Sequence, residues 1–197
     1  MSTHFWWYLS RAAGLTSLAL AMVSVTTGLA ISGRLSTKRL RLPWSNDLHR
    51  YLSVLTVAFL MLHLGALAFD SYAPFSIAAM AIPGASAWRT GAIAWGVIAL
   101  WTLVMIDLSS RFRSRLKART WRMLHLGSAL VYVTALLHAF QAGPDMTLSA
   151  LQVCVAAVVV LDLGLLGRRL WRLVRRGSTG HPEPRSAIKP SAVRSAR

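Results

Sequence analysis

Four histidines hold the chemistry open to this chain. His49 and His63 stand fourteen residues apart in the apolar run 47–69, and His125 and His138 stand thirteen apart in the run 120–141. A helix rises about 1.5 Å per residue, so each run separates its two imidazoles by roughly 20 Å. A hydrocarbon core is about 30 Å thick, which leaves one histidine of each run in each leaflet. A histidine inside a span lines a polar cavity, relays protons or binds a ligand. Axial imidazole is a common way of holding haem iron. Matched by depth, His49 with His125 and His63 with His138 make two six-coordinate sites for a planar macrocycle. No carboxylate or thiolate lies near these positions, which argues against a zinc or di-iron cage.

The spacing contains one conflict. At about 100° per residue, fourteen steps return nearly to the same helix face, whereas thirteen land about 140° away. The run 120–141 must therefore twist or distort, or its two ligands must face different sides.

The elements that position these residues are read from hydropathy. The 197 residues are 55% hydrophobic and only 14% charged, against about a quarter charged in soluble domains. The charges also fall between long apolar runs, which defines an all-α integral membrane protein, a bundle of five transmembrane helices. The spans are expected at 8–31, 47–69, 89–108, 120–141 and 146–166. The first is too long for a signal-peptide core and lacks a basic start, so it reads as a retained helix. Asp47 is placed to cap the second. Residues 70–88, with Pro74, Pro83 and Gly84, read as interfacial or re-entrant, and Asp70 with 73–87 either lids the outer site or packs as an ordinary loop. Gly143-Pro144-Asp145 reads as a turn. The division is a membrane domain over 1–176 and a disordered basic tail over 177–197. The single Cys154 sits in an apolar run and offers neither disulfide nor thiolate site.

A net charge of +16 resembles a nucleic-acid signal, but no soluble domain carries it, and no nucleic-acid partner is expected. Of the 22 Lys and Arg residues, all but Arg11 and Arg89 fall on one side of the five spans. The positive-inside rule then sets the N-terminus outside and the C-terminus in the cytoplasm, in the plasma (cell inner) membrane. Trp6, Trp7 and Trp88 mark the outer interface, and Trp44, Trp121 and Trp171 the inner. His49 and His125 thus lie toward the cytoplasm, His63 and His138 toward the outside. Arg50 and Arg122 near the inner pair, and Arg11 and Arg89 near the outer, could meet haem propionates through charge-assisted hydrogen bonds. Their plainer role, for Arg50, Arg119 and Arg122, is topology. Asp162 in the last span is expected to pair with Arg168 or Arg169.

His49 with thirteen residues before His63, and Trp121-Arg122-Met123-Leu124-His125 with twelve before His138, resemble the ferric-reductase-like transmembrane domain. That superfamily includes NADPH oxidases, metalloreductases and the haem-binding subunit of a periplasmic methionine sulfoxide reductase system. The resemblance covers about residues 8–172. It implies two haem b groups, on His49 with His125 and on His63 with His138, with a single loaded site as the lesser outcome. It departs in showing five spans where six are common, and no flavin or nicotinamide domain follows the last span. No Gly-rich dinucleotide loop is present. The expectation is an electron-transfer subunit drawing on a separate flavoprotein or quinol donor and delivering to an outer-face acceptor. Flavin would enter only through a partner or bind weakly. The rivals are a quinol-linked di-haem cytochrome b and a non-redox membrane protein whose histidines are polar glue or a proton path.

Overall fold

The computed structural model describes residues 4–32, 45–71 and 75–178. Five helices are long and apolar enough to cross a membrane, Phe5–Ser32, Ser45–Ala68, Thr90–Arg111, Ala118–Ala142 and Ser149–Arg175. The shortest has 22 residues, or about 33 Å at 1.5 Å per residue. The chain is a multi-pass integral membrane protein.

Helices α1 (Phe5–Ser32) and α2 (Ser45–Ala68) pair antiparallel in a register that repeats every seven residues. Ser10 meets His63, Ser17 meets the Thr56 carbonyl at 3.0 Å, and Ser24 meets His49. Ser10, Ser17 and Ser24 are all buried. In lipid, where apolar faces gain nothing by leaving solvent, small residues let two backbones approach and their hydroxyls bond across the gap. This explains why so polar a stripe lies in the most extensive helix pairing among the described residues. Helix α2 begins two residues before Asp47, so Asp47 lies in its first turn rather than at its cap. Its charge still favours the helix N-terminus there.

Residues 70–88 do not span. They hold a five-residue helix, α3 (Ile77–Ala81), capped by the Ser76 side chain, and a turn with Gly84 at φ +87°. The Trp101 indole donates to the Ala81 carbonyl at 2.7 Å and so ties α3 to α4 (Thr90–Arg111).

The fourth span is broken where thirteen-residue spacing demanded distortion. It runs as α5 (Ala118–His125) and α6 (Ser128–Ala142). Between them the Gly127 and Ala129 amides bond to carbonyls three residues back, at 2.9 and 3.1 Å. A 3₁₀ turn advances about 120° per residue instead of 100°. The extra winding carries His138 back toward the face of His125. Gly127 suits the break, since a Cβ there would lie 2.9 Å from the Leu124 carbonyl oxygen.

Pro144–Thr147 forms a 3₁₀ turn with Met146 buried, and α7 runs from Ser149 to Ser178. It continues past residue 166 because the basic stretch beyond keeps strong helix formers, Leu and Arg, although its apolarity falls. Residues 179–197 of the expected tail, most of the first loop (33–44) with Trp44, and residues 72–74 lie outside the described residues. Helix α7 packs chiefly on α1. Leu18, Met22, Met146 and Val155 are buried together there.

Buried Asp162 accepts a hydrogen bond from Thr26 of α1 at 2.7 Å, and no ion pair to Arg168 or Arg169 forms. The chain's nearest basic residues extend along α7, but the carboxylate faces α1. Thr26→Val keeps the shape and removes the hydroxyl, leaving a buried carboxylate oxygen without its donor. A loss of about 0.6–2 kcal/mol is expected, seen as a lowered unfolding temperature in detergent.

Candidate functional site

The helices bring the four histidines together two by two. The rings of His49 and His125 lie 6.0 Å apart between centroids, and those of His63 and His138 lie 6.4 Å apart. Both pairs cross at 76°. A metal–imidazole bond is about 2.0–2.1 Å and the ring centroid lies about 1.1 Å behind its nitrogen, so two opposite imidazoles on one ion stand roughly 6.3 Å apart. Both pairs have that spacing. Among the described residues no three His, Cys, Asp or Glu side chains converge. Each place therefore brings two imidazoles face to face with no third such side chain among the described residues.

The orientation of three rings follows from the backbone. His63 Nδ1 lies 2.8 Å from the Ser10 carbonyl, His49 Nδ1 lies 3.0 Å from the Ser24 carbonyl, and His138 Nδ1 lies 2.9 Å from the Ala92 carbonyl. A carbonyl only accepts, so each Nδ1 carries the proton. Nε2 is left with its lone pair, the form in which histidine binds a metal. His125 is held differently. Among the described residues its Nδ1 has no hydrogen-bond partner, and Trp121 stacks on the ring at 5.0 Å with planes 22° apart. Arg113 lies over the Trp121 ring, 4.3 Å from its centroid.

Glycines make room for the rings. A Cβ at Gly14 would lie 2.9 Å from His63 Nδ1, and one at Gly96 would lie 2.7 Å from His138 Nδ1. A Cβ at Gly28 would lie 3.4 Å from His49 Cε1. Each glycine follows by four residues the one whose carbonyl anchors the ring, in Ser10–Gly14, Ser24–Gly28 and Ala92–Gly96. Sequence reading passed over these glycines and serines. The visible signal was Ser10, Ser17 and Ser24 at the same seven-residue step as His49, Thr56 and His63.

A largely apolar cavity surrounds the His63–His138 pair. Gly14 and Gly96 are in its wall, and Phe75, Ala79, Met80 and Trp88 bring the non-spanning segment over it. Arg11 also lines it, paired with Asp145 through two hydrogen bonds, one of them 2.9 Å from Nε. Arg89 donates to the Gln141 carbonyl at 2.6 Å and lies over Trp88. At the other end, Arg50 and Arg122 are exposed on α2 and α5.

Fold and site together define a helical membrane protein with two stacked pairs of facing imidazoles. Residues 13–136 match the family described as ferric reductase like transmembrane component, and the chain belongs to that family. The matched stretch holds His49, His63 and His125 and ends two residues before His138. Compared with curated proteins and with solved structures, the chain gives no significant match.

Proposed function

We propose that the chain is a transmembrane electron carrier in which His49 with His125, and His63 with His138, each hold the iron of one haem b. The reading is carried by one observation, the repetition at two depths of a facing imidazole pair at 6.0 and 6.4 Å. Two facing imidazoles would hold a bare ion only weakly, whereas they would suit a metal that a planar macrocycle already carries. Haem, when bound, supplies the one-electron couple, and the protein sets position and potential.

The work of the chain's own residues is then to orient and to exclude water. The Ser10, Ser24 and Ala92 carbonyls hold Nδ1–H of their histidines and turn Nε2 toward the site. Trp121 stacks on the His125 ring. Arg11 and Arg89 would meet the propionates of the outer group by exchanging their bonds to Asp145 and to the Gln141 carbonyl, and the exposed Arg50 and Arg122 would meet those of the inner. In this reading the N-terminus is outside and the C-terminus cytoplasmic, an orientation supported by the basic residues gathering on one side, and the membrane is the plasma membrane. Electrons enter from a flavoprotein or quinol at the cytoplasmic side and leave to an outer-face acceptor.

The test is haem content and the low-spin absorption spectrum of the purified chain, beside the four single His→Ala variants. Two haems per chain are expected, falling to one in each variant. A chain that stays colourless after haem supplementation sinks the proposal and favours a non-redox membrane protein. Reduction of the inner group by a flavoprotein, set against reduction by quinol, then identifies the donor class.

A further inference from the structure

Helix α1 carries none of the four histidines, yet it holds two of them with more than its backbone. The Ser10 hydroxyl oxygen lies 3.0 Å from His63 Nδ1, and the Ser24 hydroxyl oxygen lies 3.1 Å from His49 Nδ1. The proton positions can be worked out. Ser10 Oγ–H donates to the His63 carbonyl at 3.2 Å, so its lone pair faces Nδ1–H. Ser53 donates to the His49 carbonyl at 2.8 Å and lies 3.2 Å from Ser24 Oγ. Its own proton is thus spent, and Ser24 donates to Ser53 while accepting from His49 Nδ1–H. In both places the imidazole N–H meets a carbonyl and a hydroxyl of the same serine.

The partners across the cleft lack this second acceptor. His138 has the Ala92 carbonyl, and Ala92 has no hydroxyl; among the described residues His125 Nδ1 has no hydrogen-bond partner. Each facing pair therefore combines one α2 histidine with a doubly held N–H and one less strongly held.

We propose that Ser10 and Ser24 are positioning residues that strengthen one axial histidine at each site, lowering the potentials of the outer and inner haem respectively. This rests on the two-haem reading above. Drawing the Nδ1 proton toward an acceptor makes Nε2 more basic, and a more basic axial ligand favours the oxidised iron. Hydrogen bonding around the ligands is one of the levers a protein has on such a potential. The two serines are fourteen residues apart, like the two histidines they hold, so one helix face acts on both sites separately.

The experiment is a potentiometric titration of the purified two-haem chain, with Ser10→Ala and Ser24→Ala. Each variant is expected to move one wave upward and leave the other in place, and the two variants must move different waves. Ser10→Cys, nearly the same size with a weaker acceptor, is expected between wild type and Ser10→Ala. If Ser10→Ala loses its haem, an upward shift in Ser10→Cys still supports the proposal. Waves unmoved by any of these variants, or a common shift of both waves, would overturn it and leave the serines a packing role. A colourless wild-type chain would sink the parent reading together with this one, whereas unmoved waves in a two-haem protein sink this one alone.

Discussion

His63→Ala is expected to stop electron delivery to an external acceptor while donor-dependent reduction of the inner haem continues. The two roles separate because His49 and His63 lie roughly 21 Å apart along α2, and each has its own partners on α1. The variant removes the ring that faces His138 at 6.4 Å and leaves Ser24, His49 and His125 untouched. Haem content should fall from two to one per chain. Removing a partner behind a metal ligand costs about 10–100-fold in affinity or activity, and removing the ligand itself should cost more. The Gly14 groove and the Ser10 acceptors would remain, so added imidazole is expected to restore part of the outer spectrum. Transfer that persists at the wild-type rate would overturn the proposed inward-to-outward order. His49→Ala is the complementary case, with reduction by the cytoplasmic donor failing first.

What could be read from the chain and what could not divides along physical lines. A span is a local property of twenty-odd consecutive residues, so five helices and their approximate limits were legible. The histidine pairs were legible too, because depth in a bilayer follows from counting along a helix. Which helix faces which is not local. Nothing in the residues around His63 names Ser10, fifty-three positions away, as its anchor, nor Ala92 as that of His138. The partner of Asp162 was missed for the same reason, since Thr26 is reached across α1 and not along α7. The need for a distortion between His125 and His138 could be deduced, but its place at Leu126–Gly127 depends on backbone bonding. The end of α7 was missed because apolarity and helicity stop at different residues when arginines follow leucines.

Gly96→Ala should empty the outer site as well, without touching a ligand. The added methyl would lie 2.7 Å from His138 Nδ1, 2.9 Å from Cε1 and 3.0 Å from Cγ. The ring cannot withdraw along its own plane, because Nδ1 is fastened to the Ala92 carbonyl one turn earlier at 2.9 Å. It must give up that bond or move across the 6.4 Å gap toward His63. Overpacking of this kind costs about 1–3 kcal/mol, and each 1.4 kcal/mol is a tenfold change in affinity. Outer-haem affinity is therefore expected to fall by about 5- to 150-fold on that basis. The change cannot be blamed on a weaker helix, since alanine is the better helix former by roughly 1 kcal/mol. The glycines also predict a ranking. Gly14→Ala meets His63 Nδ1 at 2.9 Å and should be nearly as damaging, while Gly28→Ala meets His49 at 3.4 Å and should be mild. Gly65→Ala and Gly91→Ala meet nothing within 4 Å and should keep both haems. Haem retained per chain after detergent washing gives the order directly. If Gly28→Ala or Gly65→Ala lost more haem than Gly96→Ala, the grooves on α1 and α4 would not be what seats the rings.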